Sequence, residues 1–127
     1  MEIVKVTMIV ETGEGGFWGR VHYEDNLIAE FGETVGKLTD SMRQLLVDFH
    51  HLTAQAIEFE YQYDLTALFD SFGELNISKI AQRAGINPSL MRQYARAIKF
   101  PSPEQAKKIE IAIHQLGKEL LAVHLTD

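Results

Sequence analysis

Apolar and polar residues alternate without a break from Ile57 to Tyr63, with Ile57, Phe59, Tyr61 and Tyr63 set against Glu58, Glu60 and Gln62. A side-chain period of two belongs to a half-buried strand. After Tyr63 the strand signals stop, and later apolar patterns have helical spacing. The chain therefore reads as α+β, strands first and helices after. Before Ile57, the β-branched run Ile3–Val10, the segment Phe17–Tyr23 and the weaker Leu27–Phe31 read as three more strands. The Gly-rich Glu11–Gly16 reads as a long hairpin loop and Glu24–Asn26 as a second turn. Thr34 is placed to cap a helix whose apolar stripe is Val35, Leu38, Met42, Leu45, Leu46 and Phe49, ending near His50–Thr53. The first module is thus βββαβ, over residues 1–63.

The second module, residues 64–127, reads as four helices. Asp64 caps Leu65–Phe72, with Gly73 as its stop. Ile77–Ala84 ends at Gly85. Asn87-Pro88 pairs a capping residue with a proline suited to the first helical position, and that helix runs to about Ile98. After the break at Phe100–Pro103, Ser102 caps a last helix from about Pro103 to Val123.

With 127 residues, the chain is long enough for a core without covalent staples. It has no Cys, which excludes disulfides, thiolate metal sites and a Cys nucleophile. No apolar run approaches a membrane span, and the N-terminus shows no secretory pattern, so a cytoplasmic protein is expected. The net charge of −6 hides an uneven distribution. Met1–Tyr63 has four basic and eleven acidic residues, a net of −7, whereas Asp64–Asp127 nets +1. Between Ile77 and Lys108 seven basic residues face only Glu104, a net of +6. Such asymmetry points to nucleic acid in one half, and the acidic half suits a basic protein partner.

The segment "ISKIAQRAGINPSLMRQYARAIKF" has what a helix-turn-helix requires. Ala81 lets a second helix cross closely, Gly85 supplies a turn with positive φ, and Ile80, Ala84, Ile86, Met91 and Tyr94 take packing positions. Leu90 and Ala97/Ile98 are expected to face inward. Ser89, Arg92, Gln93 and Arg96 are left on the outer face, where they would enter a major groove. Arg can bond a guanine edge bidentately and Gln an adenine edge. Asn87 and Ser89, at a helix start, could hold a phosphate oxygen, and Lys79, Arg83 and Lys99 would flank the groove. The bland alternative is a helical hairpin with a solvated basic face.

The βββαβ pattern with "ETGEGGFWGRV" resembles the HicB family of bacterial type II antitoxins. "NPSLMRQYARAIKFPSPEQAKKIEIAIHQLGKELLAV" resembles the lambda-repressor-like helix-turn-helix tail of one branch of that family. The chain departs from the family at His22–Gly32, "HYEDNLIAEFG", where many members carry a "PDLPG"-type segment. The resemblance implies a degenerate RNase H-like domain over residues 1–63 that binds and blocks a small basic RNA-cleaving toxin of the HicA type. It implies a helix-turn-helix domain over residues 64–127 that binds operator DNA of its own operon as a dimer or higher homo-oligomer. A stand-alone regulator with a sensing N-terminal domain is the alternative.

Neither a catalytic site nor a cofactor or metal site is expected. Glu58 and Glu60 share a strand face opposite the aromatic residues, and no set of carboxylates converges as a two-metal nuclease needs. His50 and His51 are adjacent, so on a helix their rings diverge by about 100°; His22, His114 and His124 are scattered. "GEGG" lies between strands, which argues against a phosphate loop. Trp18 and Phe17 are expected in core and sheet packing, with an exposed aromatic anchor for the toxin as the alternative. Ile109, Ala112, Ile113, Leu116, Leu120 and Val123 form the stripe of the last helix, and Leu121 and Leu125 fall off it, placed to meet a second subunit.

Overall fold

The computed structural model describes residues 2–127. Strands β1 (Val4–Gly13), β2 (Gly16–Tyr23) and β3 (Asn26–Gly32) precede helix α1 (Val35–His50) and strand β4 (Ile57–Tyr63); helices α2 (Leu65–Ser71), α3 (Ile77–Ala84), α4 (Pro88–Ala95) and α5 (Pro103–Leu121) follow. The described residues are mixed, with one four-stranded sheet and five α-helices, as an α+β reading requires. The chain forms two compact units, divided between Ser71 and Phe72. The seam expected at Tyr63–Asp64 therefore moves downstream, because α2 packs on β1 and β4. Ala67 and Phe69 are the residues that α2 buries, and Asp64 caps it by accepting the Ala67 N–H at 2.7 Å. The second unit consequently has three helices, not four.

In the first unit the sheet order is β3-β2-β1-β4, with β1 antiparallel to β2 and parallel to β4. The long loop expected at Glu11–Gly16 is not formed. Glu11–Gly13 continue β1, Gly13 pairs with Gly16, and the turn is only Glu14-Gly15, with Gly15 at φ 78°. A two-residue connection lets the ladder run to its end, which an open six-residue loop would forgo. The next turn, Glu24-Asp25, has both residues at positive φ, the geometry that matches strand twist in a tight hairpin.

One face of the sheet carries the core. Val6, Met8 and Val10 of β1 and Val21 of β2 meet Leu38, Met42 and Leu46 of α1. Gly19 and Gly32 allow this approach: a Cβ on Gly32 would lie 2.6 Å from the Leu38 backbone nitrogen. Thr34 caps α1 as expected, accepting the Lys37 N–H at 3.1 Å. On the opposite face Lys5, Thr7, Trp18, Arg20, His22, Glu58 and Glu60 are exposed. Trp18 thus departs from its expected place in the core. It pairs with Glu11 and Phe31 on the uncovered face, is 50% exposed, and sets its ring edge-on to Phe31 at 5.2 Å. Phe17, one residue earlier, points inward and packs on the core. Among the described residues no helix is long and apolar enough to cross a membrane.

Candidate nucleic-acid interface

The second unit is organised by its helix ends. Asn76 caps α3 by accepting the Lys79 N–H at 3.0 Å. Gly85 ends α3 at φ 71°, and the Ile86 N–H then donates to the Ala81 carbonyl at 2.9 Å. Only two residues separate this stop from α4, whose cap is Asn87 and whose first residue is Pro88. A short connection of this kind holds two helices at a fixed crossing. Ala81 is fully buried where α3 meets its neighbours, and Ile80, Ile86, Met91 and Tyr94 complete the packing. Ala84 and Leu90, expected inside, are half-buried. Ser102 caps α5 through the Gln105 N–H at 3.2 Å, and Ile109 and Ala112 close the unit from that helix.

Helix α4 stops at Ala95, short of Ile98. Ala97 takes a left-handed φ of 59°, which breaks the helical run, and the Ile98 N–H turns back to the Gln93 carbonyl at 2.9 Å. Ile98 is therefore 63% exposed instead of buried, and Phe100 is 78% exposed beside it in sequence. Leu120 and Val123, also expected to close the module, are exposed together with Leu121 and Leu125.

The eight candidate contact residues fall into four groups. Lys79, Arg92, Arg96 and Lys99 are exposed cations on α3, on α4 and just after it. Arg92 is braced: its guanidinium donates to Ser78 Oγ and to Ser89 Oγ, both at 3.2 Å. The brace holds an extended side chain at the α3–α4 surface and lowers the entropy lost on binding. Gln93 is half-buried, so it is less available than its neighbours. Asn87 and Ser89 are already partnered locally, since the Ser89 N–H donates to Asn87 Oδ1 at 2.8 Å. The helix-start N–H expected to hold a phosphate oxygen is thereby occupied by a side chain. Arg83 makes two hydrogen bonds to Glu119 of α5, at 2.6 and 3.1 Å. That bonding raises the Arg83 guanidinium above its usual range and lowers the Glu119 carboxyl below its own.

Two of these features were missed from sequence. Asn76 stands immediately before the Ile77 helix and was readable as a cap. Glu119 lies 36 residues from Arg83, a separation across which no local pattern speaks.

The division at Ser71 sharpens the charge contrast. Residues 1–71 have four Lys+Arg and thirteen Asp+Glu, a net of −9, and residues 72–127 have eight and five, a net of +3. Among the described residues no three His, Cys, Asp or Glu side chains are grouped so as to hold a metal ion. No protein-family model, curated protein or solved structure matches the chain.

Proposed function

We propose that the chain is a HicB-type antitoxin. Its second unit is a helix-turn-helix that binds operator DNA and represses its own operon, and its first unit binds and neutralises a small basic RNA-cleaving toxin of the HicA type. It acts in the cytoplasm, as a binding protein and not as an enzyme. The observation that carries this reading is the opposed charge of two separately packed units, −9 and +3. An acidic body favours a basic protein, and a basic helix pair favours phosphate.

In this reading α4 lies in the major groove with Arg92 and Arg96 toward base edges, and Gln93 contributes from its half-buried position. Lys79 and Lys99 contact phosphates on either side. Asn87 and Ser89 support the surface by capping α4 and bracing Arg92. Arg83 joins the phosphate contacts only in competition with Glu119. The exposed Leu120, Leu121, Val123 and Leu125 support pairing with a second copy, which an inverted-repeat operator would require.

The test is fluorescence anisotropy on labelled DNA from immediately upstream of the gene, at two salt concentrations and with a scrambled control. Tight, salt-sensitive binding that prefers the native site is expected. Arg92→Ala should cost about 1–3 kcal/mol and relax sequence preference, while Lys79→Ala weakens all DNA alike and reduces the salt slope by about one. Equal weak binding to both DNAs overturns the repressor reading.

A further inference from the structure

The two edges of the sheet are not equivalent. At the β4 edge the Arg43 guanidinium occupies the carbonyls of Ala54 and Ile57, at 2.9 and 2.7 Å, and lies over the Phe59 ring. Glu58 and Glu60 add charge along that strand, as guarded edges do. The β3 edge is guarded at one point only. In this hairpin Asn26 pairs with Tyr23 across a two-residue turn, so antiparallel alternation turns the N–H and C=O groups of Leu27, Ala29 and Phe31 away from β2. The Phe31 N–H is taken by the carboxylate of Glu30 at 3.0 Å. Leu27 and Ala29 keep their outward groups open. Beside them runs a groove of about 560 Å³ between β3 and the end of α1, lined by Leu27, Ile28, Ala29, Leu45, Phe49 and His50. Phe49 is 71% exposed and Leu27 59%. His50 holds the end of the groove, edge-on to Tyr23 at 5.0 Å and 3.8 Å from Glu24.

We propose that the β3 edge takes an extended, basic segment of a partner protein as a fifth strand, with one of its apolar side chains seated in the groove against Leu45 and Phe49. Charge selects this occupant. From His22 to Gly36 the chain has Glu24, Asp25, Glu30 and Glu33 and no Lys or Arg. A second copy would set one −9 unit against another along the same acidic edge, which like-charge repulsion opposes. Main-chain pairing supplies affinity and the groove supplies side-chain selection, as in other strand additions. The antitoxin reading is needed only for the identity of the partner: the toxin provides the segment.

The test uses the full chain and a displayed library of random peptides, with affinities of selected peptides measured afterwards. Enriched peptides should alternate apolar residues with Lys or Arg. Ala29→Pro removes only the outward N–H of an edge residue, which leaves the β2–β3 ladder intact. It should weaken these peptides by about tenfold or more, and Phe49→Asp, at an exposed position, should do the same. Glu58→Gln, on the opposite edge, should change little. No enrichment, enrichment of acidic peptides, or equal binding to Ala29→Pro overturns the proposal. A dimer that Ala29→Pro dissociates also overturns it, giving the edge to a second copy. A purified HicA-type toxin that binds wild type and Ala29→Pro alike overturns the edge but keeps the antitoxin reading. A toxin that does not bind wild type at all removes that reading, and the peptide result alone then decides the edge.

Discussion

In the first unit, residues from β1, β2 and α1 must meet before any core exists, and glycines at 19 and 32 set how closely they do so. In the second unit, three helices are joined by short connections, and each begins at a side-chain cap: Asn76, Asn87 and Ser102. The first is a layered body whose charge is negative; the second is a small positive one. The difference shows why a whole-chain net charge of −6 says little about partners. Electrostatic recognition is decided over a Debye length of about 8 Å at physiological salt, the scale of one face of one unit.

The contrast is broken most directly by unfolding. Trp18 is the only tryptophan and reports on the first unit. Leu38→Ala, at a fully buried position, should cost about 2–5 kcal/mol, read as an earlier Trp18 fluorescence transition in urea. Met91→Ala, equally buried in the second unit, should lower helical circular dichroism by a comparable amount and leave the Trp18 transition in place. If Met91→Ala moves the Trp18 transition as far as Leu38→Ala does, the two units unfold as one. Gly32→Ala should come next, at about 1–3 kcal/mol on the Trp18 signal, because its Cβ meets the α1 backbone and not a movable side chain. Asn76→Ala should cost about 1 kcal/mol, seen only in the helical signal of the second unit.

The smallest effect concerns the Arg83–Glu119 pair. The Glu119 carboxyl is held below its usual range by the hydrogen bonds from Arg83 and by its charge. A depressed carboxyl contributes stability that is present above the ordinary carboxylate range and is lost as pH falls through the lowered value. Both groups are solvent-exposed, so the contribution is small. Glu119→Gln should flatten the acid side of the second unit's stability profile. At neutral pH it should release Arg83 and strengthen DNA binding about two- to threefold.

Where the physical cause is local, the sequence is a sufficient guide. The alternation Ile57–Tyr63 is β4 residue for residue, and Thr34, Asp64, Asn87 and Ser102 each cap the helix expected of them. The errors lie where distant packing or backbone geometry decides. Composition made Glu11–Gly16 look like a loop, but pairing of Gly13 with Gly16 extends the ladder. Both aromatic residues after the turn fit a core, yet strand phase puts Phe17 inside and Trp18 outside. Ile98 fits a helical stripe that the positive φ of Ala97 interrupts. For the candidate contact residues, side-chain type points to the exposed cations, but nothing local announces that Glu119 will engage Arg83 or that Ser78 will brace Arg92.

The sheet order has a consequence in time. β1 lies between β2, its neighbour in the chain, and β4, which pairs with it from Val4↔Ile57 to Val10↔Tyr63. During synthesis the three-stranded meander can form early, but one side of β1 stays open until the ribosome has released Tyr63. Its inward residues Val6, Met8 and Val10 are all buried in the finished protein. For that interval the growing chain offers an apolar strand edge, the kind of surface that seeds misassembly when many copies are made at once.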